Sequence, residues 1–193
     1  MSAPDTIVLI RHGEKPGDDG PPHGVNHHGE KDDHSLSVRG WTRAGALAVV
    51  FAHAPHPASP VATRPTRLYA TKSSHQARST RERDTARPTA QRLGLQVDDS
   101  VAHGHEDELV ARVLDGNGGV VVVWHHGVMP KLARSFPLAN PEDVPAEWPD
   151  ERYDLFWILS RLPGDGQPMY QFSEVAQSLL DGDADSGLPG DPG

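Results

Sequence analysis

Two runs of four apolar residues, Ile7-Val8-Leu9-Ile10 and Val120-Val121-Val122-Val123, restrict the fold more than any other feature of the chain. They are short, rich in β-branched residues and lack polar alternation. Such runs read as strands covered on both faces, which belong to parallel sheets with helices packed on either side. Each run then gives way to polar residues: Arg11-His12-Gly13-Glu14 after the first, and Trp124-His125-His126-Gly127 after the second. In an open α/β sheet, ligands bind beyond the carboxyl ends of the strands. The two histidine-bearing ends are therefore expected side by side at the centre of the sheet.

The intervening chain supplies alternating elements. Ser37 is a candidate N-cap for a helix in which Trp41, Ala44, Leu47, Ala48 and Phe51 recur at helical spacing. Arg67–Thr71 reads as a short second strand. The arginine-rich segment that follows (Arg78, Arg81, Arg83, Arg87, Arg92) reads as a helix that Pro88 should kink or confine to one turn, with Gly94 as its C-cap and Leu95–Val97 as a small strand. Glu106–Leu114 reads as a short helix with acids in its first turn, and Pro130–Phe136 as one opened by proline. Tyr153–Leu159 is a further strand, with Met169–Phe172 as a possible edge partner. Residues 15–35 form a loop with four histidines, His23, His27, His28 and His34. No pair of these has the spacing of a rigid helical metal site, so the loop is expected to be a solvated lid or rim with no metal bound.

A chain of 193 residues suits one domain, expected over 1–180, with a flexible C-terminal tail over 181–193. There are no cysteines, which excludes disulfides and thiolate chemistry. No apolar run approaches the length of a membrane span, and the N-terminus lacks the features of a signal peptide. A soluble, cytoplasmic protein without a membrane partner is the expectation. The formal net charge of -9 argues against a nucleic-acid partner bound through a broad basic face. It leaves room for a small phosphorylated substrate, because salt screens the global field beyond about 8 Å and local arginines govern a pocket. Nothing in the sequence fixes an oligomeric state.

Histidines at two strand ends and an arginine-rich segment between them make up the parts of a phosphoryl-transfer pocket. A neutral imidazole can attack phosphorus, guanidinium groups match phosphate oxygens in pairs, and a second histidine can donate where charge builds. Arg78 competes with Arg81, and His125 with His126, for the pocket positions.

Arg11-His12-Gly13-Glu14 after a strand resembles the signature of the histidine phosphatase superfamily, the phosphoglycerate mutase-like fold. The likeness extends to Leu36-Ser37-Val38-Arg39-Gly40 with Arg43-Ala44, to Arg81–Pro88 with an arginine four residues before Thr85-Ala86, to Val122–His126, and more weakly to Trp148-Pro149-Asp150 and 153–159. It implies a three-layer α/β/α sandwich around a mostly parallel central sheet. It also implies a phosphatase without metal or cofactor, in which His12 becomes phosphorylated, Arg11 and Arg81 bind phosphoryl oxygens, and His126 completes the pocket. The family's general acid is usually a carboxylate; Glu106 and Asp107 lie in the corresponding region, with Glu106 preferred. Hydrolysis is expected over mutase transfer, since the long helical insertions of the larger mutases are missing. Two alternatives stand beside this: a non-catalytic phosphate-binding or regulatory relative, and an enzyme of the same fold diverted to another reaction in a biosynthetic pathway.

Overall fold

The computed structural model describes residues 3–18, 20–56, 59, 61–73 and 78–187. In chain order the elements are β1 (Thr6–Arg11), β2 (Gly24–Val25), β3 (Leu36–Ser37), α1 (Val38–His53), β4 (Pro65–Ala70), α2 (Arg81–Leu93), β5 (Val97–Asp98), α3 (Glu106–Leu114), β6 (Gly119–Trp124), α4 (Met129–Arg134), β7 (Leu155–Arg161) and β8 (Tyr170–Ala176). They form an α/β structure around a six-stranded, mostly parallel sheet with strand order β5-β4-β6-β1-β7-β8. β1 and β6 are central neighbours and run parallel, with Ile7 opposite Val120 and Arg11 opposite Trp124. His12 and the His125-His126 pair therefore leave the sheet at the same rim. β7 runs antiparallel to both β1 and β8.

The unbroken apolar runs serve two cores at once. Ile7, Leu9, Val120, Val122 and Trp124 pack on one face with Leu109 and Val113 of α3 and Met129 and Leu132 of α4. Val8, Ile10, Val121 and Val123 pack on the other with Leu47 and Phe51 of α1 and Ala86 and Ala90 of α2. Each fully buried aliphatic side chain contributes roughly 1.5–3 kcal/mol, so a polar residue anywhere in either run would be costly.

Helix α1 starts as its sequence indicates. The Ser37 hydroxyl accepts from the Gly40 N–H at 3.2 Å and donates to the Glu14 carbonyl at 3.0 Å. This fastens the segment after His12 to the first turn of α1. The approach is close: a Cβ on Gly13 would lie 2.8 Å from the Gly40 carbonyl oxygen, and one on Gly40 would lie 2.5 Å from the Glu14 oxygen. Only glycine fits at either position without moving backbone.

Three expectations need correction. Helix α2 runs through Pro88 to Leu93 and ends in a left-handed Gly94. Its buried side, with Thr85, Ala86, Thr89 and Ala90, packs on α1 and the sheet, and that burial outweighs the roughly 3 kcal/mol cost of an internal proline. Arg78 lies before α2, exposed, and so does not share a helical face with Arg81.

The C-terminal segment is not loose from residue 181. The Asp183 carboxylate accepts from Arg43 Nη2 at 2.6 Å and Nη1 at 3.0 Å, and from the Leu179 and Leu180 amides. Ala184 N–H donates to Asp154 Oδ2 at 2.7 Å, and the Ser186 carbonyl accepts from Arg152. The remainder of the expected tail, 188–193, lies outside the described residues. No helix among the described residues is long and apolar enough to cross a membrane.

Candidate active site

His12 leaves the end of β1 almost fully enclosed, at 4% exposure. Its Nδ1 lies 2.7 Å from the Gly13 carbonyl oxygen. A carbonyl can only accept, so Nδ1 carries the proton and Nε2 holds the free lone pair. Burial pushes the imidazole pKa from 6.5 down to about 3; the Gly13 carbonyl opposes this, while Arg11, Arg81 and His126 reinforce it. His12 is thus a neutral imidazole at any ordinary pH, its tautomer set by one backbone bond.

Arg11 is buried beside it. Its Cζ sits 4.0 Å above the Tyr153 ring, and Nη2 donates to the Tyr153 hydroxyl. Nη1 donates to the carbonyls of Pro149, Asp150 and Arg152. The loop before β7 therefore grips one edge of the guanidinium, and its Nε has no partner among the described residues.

Arg81 opens α2 on the opposite side. Nε donates to the Ser35 carbonyl at 3.2 Å and Nη2 to the Asp33 carbonyl at 2.8 Å, so the end of the 15–35 loop orients it. Thr85, one turn along, accepts from the Gly13 N–H and donates to the Arg81 carbonyl, each at 2.8 Å. A polar cleft of about 460 Å³, lined by Lys15, His23, Lys31, Asp33 and Arg81 among others, extends outward from this side. His27 and His28 are exposed, their rings 3.9 Å apart. Among the described residues no cluster of three or more His, Asp or Glu side chains could hold a metal ion.

The two adjacent histidines separate cleanly. His125 turns its Nδ1 to accept from the Gly127 N–H at 3.2 Å, capping the turn after β6. It lies exposed between the rings of His103 and His126. His126 is the more enclosed of the two. Its Nε2 meets Asp150 Oδ1 at 2.6 Å, and its Nδ1 is buried without a partner among the described residues. It lies close enough to His12 for a proton on one ring to weigh against a proton on the other, which places it in the same constellation. His12, Arg11, Arg81 and His126, all singled out in the sequence, thus converge at one rim of the sheet.

Glu106 does not suit a proton donor. Its Oε1 accepts from the Trp124 indole at 3.1 Å and from the Gly104 N–H at 3.0 Å. Burial, the largest single influence, works against its charge, but these two donors together with its own amide and His103 lower its pKa. It is a structural acceptor that satisfies a buried tryptophan. Asp107 is exposed in the same turn.

Sequence reasoning passed over Glu82. It is only 4% exposed, takes a hydrogen bond from the Ser79 hydroxyl at 3.0 Å, and stands near enough to Arg11 and His125 for its charge to act on both. The available signal was its spacing: Glu82, Ala86 and Ala90 fall at i, i+4 and i+8 on the inward face of α2. A carboxylate on such a stripe is out of place unless it serves a site. No protein-family model matches the chain, and a search of curated proteins finds no match to it.

Proposed function

We propose that this protein is a phosphatase of the histidine phosphatase type, with a phosphoglycerate mutase-like three-layer fold, acting on phosphomonoesters of small metabolites. The observation that carries the reading is the state of His12: a buried, neutral imidazole with Nδ1–H committed to the Gly13 carbonyl and Nε2 left as a nucleophile. Nε2 attacks phosphorus and the bond to the leaving oxygen breaks. The positive charge that develops on the ring is shared with the Gly13 carbonyl through Nδ1–H. Arg11, Arg81 and His126 surround the transferring group and offset its charge. Glu82, in its protonated form, gives its proton to the leaving oxygen. Water then attacks the phosphohistidine, returning a proton to Glu82 and releasing inorganic phosphate. The reading requires no metal or cofactor.

His12→Ala tests it: turnover of p-nitrophenyl phosphate should vanish while the far-UV spectrum and melting transition stay in place. Retained turnover would remove His12 from the mechanism. One observation favours a second reading, a non-catalytic phosphate-binding relative. Arg11 Nη1 is already engaged by loop carbonyls, as suits a pocket that holds an anion without processing it. Phosphate or vanadate binding without turnover of any ester would decide for that reading.

A further inference from the structure

Within the 149–153 loop a single residue, Asp150, touches both Arg11 and His126. The backbone carbonyl of Asp150 accepts from Arg11 Nη1, and its carboxylate meets His126 Nε2 at 2.6 Å. The Asp150 side chain is otherwise 77% exposed, so no core contact explains its placement. A carboxylate at neutral pH only accepts, so the bond makes Nε2 the protonated nitrogen of His126. Nδ1, buried and without a partner among the described residues, is left with its hydrogen-bonding capacity unused. A buried imidazole nitrogen without a partner costs stability, and such groups persist where a ligand satisfies them.

We infer that Asp150 is the positioning residue of this site: it holds the Nε2–H of His126 and so orients the ring, and Nδ1, on taking up a proton together with the anion, donates to a bound phosphoryl group. The inference rests on the phosphatase reading for the identity of that group, but the Asp150–His126 link can be judged without it. The geometry resembles in kind the second partner of any imidazole whose working nitrogen is fixed by the bond at the other. The rest of the loop keeps Asp150 in place. Trp148 donates to the Arg152 carbonyl at 2.7 Å, and Arg152 is held by Asp154 at 2.6 Å and by the Ser186 carbonyl.

The test uses the full chain, ¹⁵N-labelled, with inorganic phosphate as the probe. Long-range imidazole correlations should show His126 protonated at Nε2 in the wild type and in Asp150→Asn, whose amide oxygen still accepts. In Asp150→Ala the tautomer should become mixed. Phosphate should perturb the His126 Nδ1 resonance, and its dissociation constant should rise about tenfold in Asp150→Ala while Asp150→Asn recovers most of the loss. An unchanged tautomer in Asp150→Ala, or an altered tautomer with unchanged phosphate affinity, overturns the inference. A wild-type protein whose constellation ignores phosphate overturns the phosphatase reading instead, and the tautomer comparison in phosphate-free protein still judges Asp150 alone.

Discussion

The Gly13 N–H donates to the Thr85 hydroxyl at 2.8 Å, and that bond ties the end of β1 to α2 directly beside His12. The same hydroxyl donates to the Arg81 carbonyl, so one side chain sets the separation between the candidate nucleophile and a candidate phosphate-binding arginine. Thr85→Val keeps the shape and leaves a buried N–H unsatisfied. It should cost about 1–3 kcal/mol in urea denaturation and lower turnover, with Thr85→Ser recovering part of both. Equal stability and turnover in the valine variant would show that the bond is incidental.

A second link reaches the site from the far end of the chain. Arg43, at 2% side-chain exposure, is shared between Glu14, two residues after His12, and Asp183, at 3%. Burial opposes the Asp183 charge, but the Arg43 bonds and the Leu180 and Leu179 amides lower its pKa from 3.8 to about 2. The folded state therefore binds this proton less readily than the unfolded chain. The resulting stability, roughly 2 kcal/mol, is present above pH 4 and is lost as pH falls toward 2. Asp183→Asn should be less stable at pH 7, and its stability should fall less steeply than the wild type's between pH 4 and 2. Parallel acid-denaturation curves would contradict the assignment.

The two carboxylates near the constellation should behave oppositely. Glu106→Ala leaves the Trp124 indole without its acceptor and should lose about 1–3 kcal/mol of stability while the folded fraction turns over normally. Glu82→Gln should leave stability nearly unchanged. It should slow alkyl phosphates by about a hundredfold or more, with little effect on p-nitrophenyl phosphate, whose leaving group needs no proton. A uniform loss across leaving groups would make Glu82 an electrostatic partner of Arg11 rather than a proton donor.

These contrasts show what the chain discloses on reading. Ile7–Ile10 and Val120–Val123 announced buried parallel strands because burial on both faces leaves no polar alternation, and adjacency of β1 and β6 followed from that. Ser37 and Gly94 marked helix ends because capping is local chemistry. Pro88 misled, since a local penalty says nothing of the packing of Ala86 and Ala90 that overrides it. Asp183 was unreadable for a similar reason: an acid in a Gly- and Asp-rich segment looks solvated until Arg43, 140 residues earlier, is seen beneath it. Glu106 was preferred and Glu82 passed over because their surroundings depend on Trp124 and Arg11, which no spacing brings together.

The central claim is that His12 Nε2 carries the phosphoryl group. Rapid quenching of the protein during incubation with a ³²P-labelled aryl phosphate, followed by peptide mapping, tests it most directly. The account predicts an acid-labile, base-stable adduct on the peptide containing His12, formed as fast as the leaving group appears and missing from His12→Ala. Steady turnover with no such adduct at any quench time, where phosphoenzyme breakdown limits the rate, or an adduct on another residue, would contradict it.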